Sequence, residues 1–203
     1  TSITIDEPSV LVASMGSPTL IDCNNATGSA TVSVSGGTAS YSYSWSNGNT
    51  GATISTNISG TYTVTVTDTN GCTDDATVTI NEDLVAPTAV ATANGAIDCI
   101  NTSISLSGSG SSTGIEFTYL WTTNDGNIDS GEITLNPVVS SGGTYTLTVT
   151  NNNNGCEDMI SVTVVEETDL PTADAGTGNE LTCNVTQVVL LGTNSDTGPD
   201  YTY

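Results

Sequence analysis

Apolar and hydroxyl-bearing residues alternate along much of this chain. In Thr61-Tyr62-Thr63-Val64-Thr65-Val66-Thr67 the side chains of Tyr62, Val64 and Val66 share one face, with threonines on the other. Thr144-Tyr145-Thr146-Leu147-Thr148-Val149-Thr150 repeats the pattern, and Ala76, Val78, Ile80 and Ile160, Val162, Val164 form two further apolar faces. A period of two predicts half-buried antiparallel strands, apolar inward and hydroxyl outward. No segment carries a convincing helical period.

Turn-forming residues separate these strands. Asp68-Thr69-Asn70-Gly71 and the stretch from Asn151 to Gly155 lie between the last two strands of each unit and read as hairpin loops. Gly36-Gly37 and the stretch from Gly108 to Gly114 end an early strand. About seven short strands in every 75–85 residues point to an all-β protein of tandem immunoglobulin-like β-sandwiches. Trp45 and Trp121 are expected at the centres of two such sandwiches.

The units recur at a fixed interval. Cys23, Cys99 and Cys183 are each followed twenty residues later by Tyr43, Tyr119 and Tyr203, and the first two tyrosines are followed by Trp45 and Trp121. The expected organisation is the last strand of a preceding domain over 1–8, domains over 9–83 and 84–167, and the start of a third over 168–203. Cys23 to Cys72 spans 49 residues and Cys99 to Cys156 spans 57, whereas Cys72 to Cys99 and Cys156 to Cys183 both span 27. The simplest pairing is one disulfide per domain, Cys23–Cys72 and Cys99–Cys156, with the partner of Cys183 outside the chain. Such a bridge would tie an early edge strand to the start of the last strand, and it belongs to an oxidising, extracellular setting.

Charge narrows the function. The 203 residues contain no Lys, Arg or His against 22 Asp plus Glu, a net charge of −22. Nothing here neutralises phosphate, so nucleic acid and anionic lipid headgroups are disfavoured as partners. Imidazole and amine chemistry is excluded as well, and with it a Ser-His-Asp triad, a Schiff base or a His-bound zinc. No apolar run approaches the roughly 20 residues that span a bilayer, so no direct membrane insertion is expected. Paired carboxylates for glycoside hydrolysis need a sugar cleft between them, and these acids sit at domain ends and turns. The chain reads as non-enzymatic.

Two stretches carry a family resemblance. Val32-Ser33-Val34-Ser35-Gly36-Gly37-Thr38, Tyr41-Ser42-Tyr43-Ser44-Trp45-Ser46-Asn47-Gly48 and Gly60-Thr61-Tyr62-Thr63-Val64-Thr65-Val66-Thr67-Asp68 with Asn70-Gly71-Cys72 resemble the SprB repeat of Bacteroidota surface proteins. Trp121-Thr122-Thr123-Asn124-Asp125-Gly126 looks more like the Trp-x-x-x-Asp-Gly turn of PKD-like domains. The resemblance implies a long, secreted, repetitive cell-surface adhesin or filament, exported by the type IX pathway, whose repeats act as spacers or adhesive modules. Its partners would be adjacent repeats of the same polypeptide, a homo-oligomeric fibre, and surface glycans or a substratum met through regions outside this segment.

Acidic residues gather where domains meet: Asp6 and Glu7, Glu82 and Asp83, then Glu166, Glu167 and Asp169. Oxygen ligands at a junction suit Ca²⁺, which would stiffen the linker; the other reading is a solvated acidic linker. Asp125-Gly126-Asn127-Ile128-Asp129 resembles the opening of a calcium loop but has Ser130 where such a loop has glycine. The expectation is therefore a stalk or filament segment of a secreted bacterial adhesin. The alternative is a glycan- or ligand-binding module, which would need an exposed row of aromatics.

Overall fold

The computed structural model describes residues 7–167 and positions 173, 174, 181, 183, 184, 187, 192, 195 and 196. The strand expected over 1–8 lies outside the described residues apart from Glu7 and Pro8, and so does most of 168–203. All described secondary structure is β.

The first sandwich contains β1 (Val12–Met15), β2 (Ile21–Asp22), β3 (Gly28–Ser35), β4 (Ser42–Trp45), β5 (Thr53–Thr56), β6 (Gly60–Thr67), β7 (Thr73–Ile80) and β8 (Glu82–Asp83). One sheet runs β1-β3-β5 and the other β4-β6-β7. The central strand β6 places Tyr62, Val64 and Val66 inward beside Val78, Ala76 and Trp45, as its alternation dictates. Its threonines meet those of β7 across the solvent face, where Thr61 pairs with Thr79 at 3.1 Å. The parallel pair of β2 with β8, Ile21 beside Glu82, closes the end of the sandwich from which the linker leaves.

The second sandwich repeats the plan with β9 (Thr92–Ala93), β10 (Ile104–Ser107), β11 (Phe117–Thr123), β12 (Ile128–Ser130), β13 (Val138–Val139), β14 (Gly143–Asn151) and β15 (Glu157–Val164). Its sheets are β12-β13-β10-β9 and β11-β14-β15. Antiparallel sheets split in this way around one core make each unit an immunoglobulin-like sandwich.

Both tryptophans occupy the expected centres. Trp45 donates its indole N–H to the Gly51 carbonyl at 2.8 Å, and Trp121 donates to the Thr134 carbonyl at 3.0 Å. Each central strand also carries a tyrosine whose hydroxyl donates to a carbonyl four residues upstream: Tyr62 to Ile58 and Tyr145 to Ser141, both at 2.7 Å. One expected face is incomplete, since Ile160 on β15 is 40% exposed while Val164 is buried. Ile160 pairs with Leu147 but stands on the edge strand β15, whereas the central strand β14 buries Tyr145, Leu147 and Val149.

Candidate functional site

The two expected intradomain bridges do not form. Cys23 of the first sandwich is bonded to Cys156 of the second, across 133 residues and with Cα atoms 5.0 Å apart, while Cys72, Cys99 and Cys183 are exposed thiols. Strand geometry explains the correction. Cys23 directly follows β2, which lies level with Glu82 and Asp83 past the end of β7, whereas Cys72 directly precedes the start of β7. Eight residues of β7 at about 3.4 Å each put the two cysteines at opposite ends of one sandwich. A disulfide needs Cα atoms within about 7 Å. The same opposition separates Cys99 from Cys156.

The junction is built from three elements. The turn after β2 presents Cys23: Asp22 accepts from the Asn24 and Asn25 amides at 3.0 and 2.7 Å and from the Asn25 side chain at 3.1 Å. The loop between β14 and β15 presents Asn154-Gly155-Cys156, with Gly155 at φ +71°. A side chain at Gly155 would run into Asn24, so close approach as well as the left-handed backbone requires glycine there. The third element is the linker, where Asp83 accepts from the Val85 amide at 3.3 Å.

Asn154 holds the three together. It is fully buried; its side-chain amide donates to the Asp83 carboxylate and to the Val85 carbonyl, both at 3.0 Å, and its own carbonyl accepts from the Cys23 amide at 2.9 Å. Its Oδ1 accepts from the Cys156 amide at 3.0 Å. Three bonds on the buried side-chain amide and a fourth on the backbone carbonyl give each of these polar atoms a partner.

Two of the acidic residues expected to hold Ca²⁺ accept hydrogen bonds within the chain. Asp83 serves Asn154, and Glu166 accepts from the Gly142 amide at 2.7 Å. Among the described residues no three of the acidic, His or Cys side chains gather as a metal site; Glu7, Glu82 and Glu167 are exposed, and Asp6 and Asp169 lie outside the described residues. In the 125–129 loop, Asp125 accepts from the Thr144 amide at 2.8 Å and Asp129 from the Ser140 hydroxyl at 2.7 Å, so both carboxylates brace the turn.

Two further aspartates organise the cysteine-bearing turns. Asp68 accepts from the amides of Thr38, Asn70 and Cys72 at 2.9, 2.9 and 2.8 Å; these donors, Thr38 foremost, hold its carboxyl below the usual 3.8 against the opposing effect of burial. Asp98 is lowered likewise, by the Asn101 amide first, then its side chain, then the Ile100 amide.

Junction residues Asp22 and Asn154 were not singled out by sequence reasoning. One signal was present: the 27-residue gaps are constant while the 49- and 57-residue spans differ, as expected when the constant segment is the one that runs between junctions.

Consecutive immunoglobulin-like sandwiches joined by a disulfide define a tandem β-sandwich class of protein. Within that class, residues 17–50, from before the Cys23 turn to past Trp45, match the SprB repeat. No curated protein matches this sequence. Similar solved structures include the three N-terminal domains of the bacteriophage RB49 highly immunogenic outer capsid protein, at 15% identity over 77% of this chain and 59% of that one, TM-score 0.40. Extracellular domains 3–5 of Drosophila OTK are 16% identical over 70% of this chain and 56% of that one, TM-score 0.36. Murine CEACAM1b is 12% identical over 77% of this chain and all of that one, TM-score 0.34.

Proposed function

We propose that this chain is a load-bearing stalk or filament segment of a large secreted bacterial cell-surface adhesin, non-enzymatic, with adjacent repeats of the same polypeptide as its immediate partners. The observation that carries the reading is the Cys23–Cys156 bond between consecutive sandwiches. A covalent tie across a junction, next to the linker, restricts bending where a string of domains is otherwise free to hinge. It also redirects force. Tension applied at the two ends passes from Cys23 through the disulfide to Cys156, so residues 24–155, which contain most of both cores, are bypassed. The SprB match over 17–50 supports a surface-adhesin setting. The surface chemistry fits the same role, with Thr and Ser outward on the strands and a net charge of −22 that disfavours aggregation. Among the described residues both tryptophans, Trp45 and Trp121, are buried and so not presented to a glycan, which weighs against a ligand-binding module.

Single-molecule pulling on the chain held at its two ends tests this reading. Without reductant, neither sandwich core is expected to lengthen. After reduction, unfolding should release about 450 Å more, for 132 bypassed residues at roughly 3.4 Å each. Full extension of both sandwiches without reductant would sink the proposal.

A further inference from the structure

We infer that the Cys23–Cys156 bond is one link of a series, in which the Asp-Cys turn of each repeat is bonded to the Asn-Gly-Cys hairpin of the next repeat in the same polypeptide. Cys99 then takes the hairpin cysteine of the repeat that residues 168–203 begin, and Cys72 takes the turn cysteine of the repeat before the first sandwich. The inference rests on the stalk reading and extends it.

Both halves of the junction recur, with their geometry, at the outer ends of the pair. At the turn, Asp98 accepts from the Ile100 and Asn101 amides at 2.7 and 2.5 Å and from the Asn101 side chain at 3.1 Å, reproducing the Asp22 turn donor by donor. The anchor beside it is reproduced as well: Ile97 bridges Glu166 in parallel, as Ile21 pairs with Glu82. Cys99 therefore stands on the second sandwich where Cys23 stands on the first.

At the hairpin, Asn70-Gly71-Cys72 corresponds to Asn154-Gly155-Cys156, with Gly71 at φ +85°. Asp74 accepts from the Ala13 amide at 2.7 Å, as Asp158 accepts from the Ala89 amide at 2.8 Å, so in both sandwiches the strand after the hairpin is tied to the segment that opens the domain. Cys156, joined to its neighbour, is 1% exposed; Cys72 is exposed, and apart from the adjacent residues no atom lies within 4 Å of a Cβ placed on Gly71. A cleft of about 390 Å³ adjoins Cys72, walled by Glu7, Pro8 and Val10 of the linker and by Asn70. At the formed junction the linker residues Asp83 and Val85 bind the Asn154 side chain, and the Asn154 carbonyl accepts from the Cys23 amide.

The repeat begins again after Glu167. The Asp174 amide donates to Ser195 Oγ at 2.8 Å and that hydroxyl donates to the Asp174 carbonyl at 3.0 Å, as Val90 and Ser111 do at 2.9 and 3.2 Å. Cys183 follows Cys99 by the same 84 residues that separate Ser195 from Ser111.

In such a series the staples overlap. The 27-residue segments Cys72–Cys99 and Cys156–Cys183 become the backbone lengths between every second junction disulfide, each running down two sandwiches. Their common length is then set by the spacing of junctions, while loops within a sandwich are free to vary. Each bond forms when two thiols give up two protons and two electrons to a small or protein disulfide oxidant, which leaves as the dithiol.

The test is disulfide mapping on the full-length secreted protein, alkylated without reduction and cleaved at Asp and Glu. Cys99 is expected in a peptide joined to an Asn-Gly-Cys peptide, and Cys72 in one joined to a turn peptide, with no reductant-sensitive ladder of copies on a gel. A Cys99→Ser variant should gain one titratable thiol, on the following hairpin. Alkylated Cys72 and Cys99, a Cys72–Cys99 bond, or bonds between copies would each overturn the inference. Electron microscopy of the same preparation separates the two readings: free thiols on an extended rod remove the series alone, and a compact particle removes the stalk.

Discussion

Asn154 of the second sandwich donates its side-chain amide to the Asp83 carboxylate at 3.0 Å, fastening a hairpin to the linker 71 residues earlier in the chain. Both partners lie at the contact between domains, so the bond couples the position of one sandwich to the direction in which the other releases the chain. Asn154→Ala should leave Asp83 and the Val85 carbonyl short of a donor and cost about 1–3 kcal/mol. Thermal unfolding of the oxidised protein reads the loss, and an unchanged Tm would show that water replaces the amide without penalty.

Removing the staple should affect orientation more than folding. Each sandwich has its own core, centred on Trp45 in one and on Trp121 in the other. Cys23→Ser, or mild reduction, is expected to leave the far-ultraviolet dichroism intact while small-angle scattering shows a wider range of interdomain distances. The same change lifts the constraint on a 133-residue loop, worth up to about 5 kcal/mol in the chain-entropy account. Scattering profiles that superimpose before and after reduction would mean that Asn154 and the linker fix the angle by themselves.

Acid should loosen the hairpin that bears Cys72. The Asp68 carboxyl is held below 3.8 by amide donors in the folded chain, so its contribution is present above that value and is lost as pH falls through the lower, folded one. Asp98 acts in the same direction at the other free turn. Melting temperature is therefore expected to drop below about pH 3.8, and Asp68→Asn should lower it at neutral pH while flattening the acid limb. An acid limb of undiminished steepness in Asp68→Asn would assign the effect to other carboxylates.

Tyr145 is fully buried, and its hydroxyl serves three groups: it donates to the Ser141 and Asn127 carbonyls at 2.7 and 3.2 Å and accepts from the Asn127 amide at 3.0 Å. Tyr145→Phe keeps the ring and strands those partners, a loss of about 1–3 kcal/mol. Tyr62→Phe, whose hydroxyl serves the Ile58 carbonyl at 2.7 Å and Thr56 at 3.2 Å, should cost less. Denaturant titration of the two variants ranks them, and the reverse order would contradict the burial argument.

The alternation of Thr with Tyr, Val and Leu determined by itself which residues face inward on β6 and β14, because a strand's side chains alternate whatever it packs against. Trp45, Trp121 and the glycine-rich turns were legible for the same local reason. The cysteine pairing was not. Sequence spacing reports distance along the chain, and a 49-residue span is compatible with either end of a sandwich. Only the packed structure shows that β7 holds Cys23 and Cys72 a full strand length apart and that the linker returns Cys156 to Cys23. The junction acids illustrate the same limit: charge clustering in sequence marked Asp83, but its partner, the neutral amide of Asn154, is brought there by folding alone.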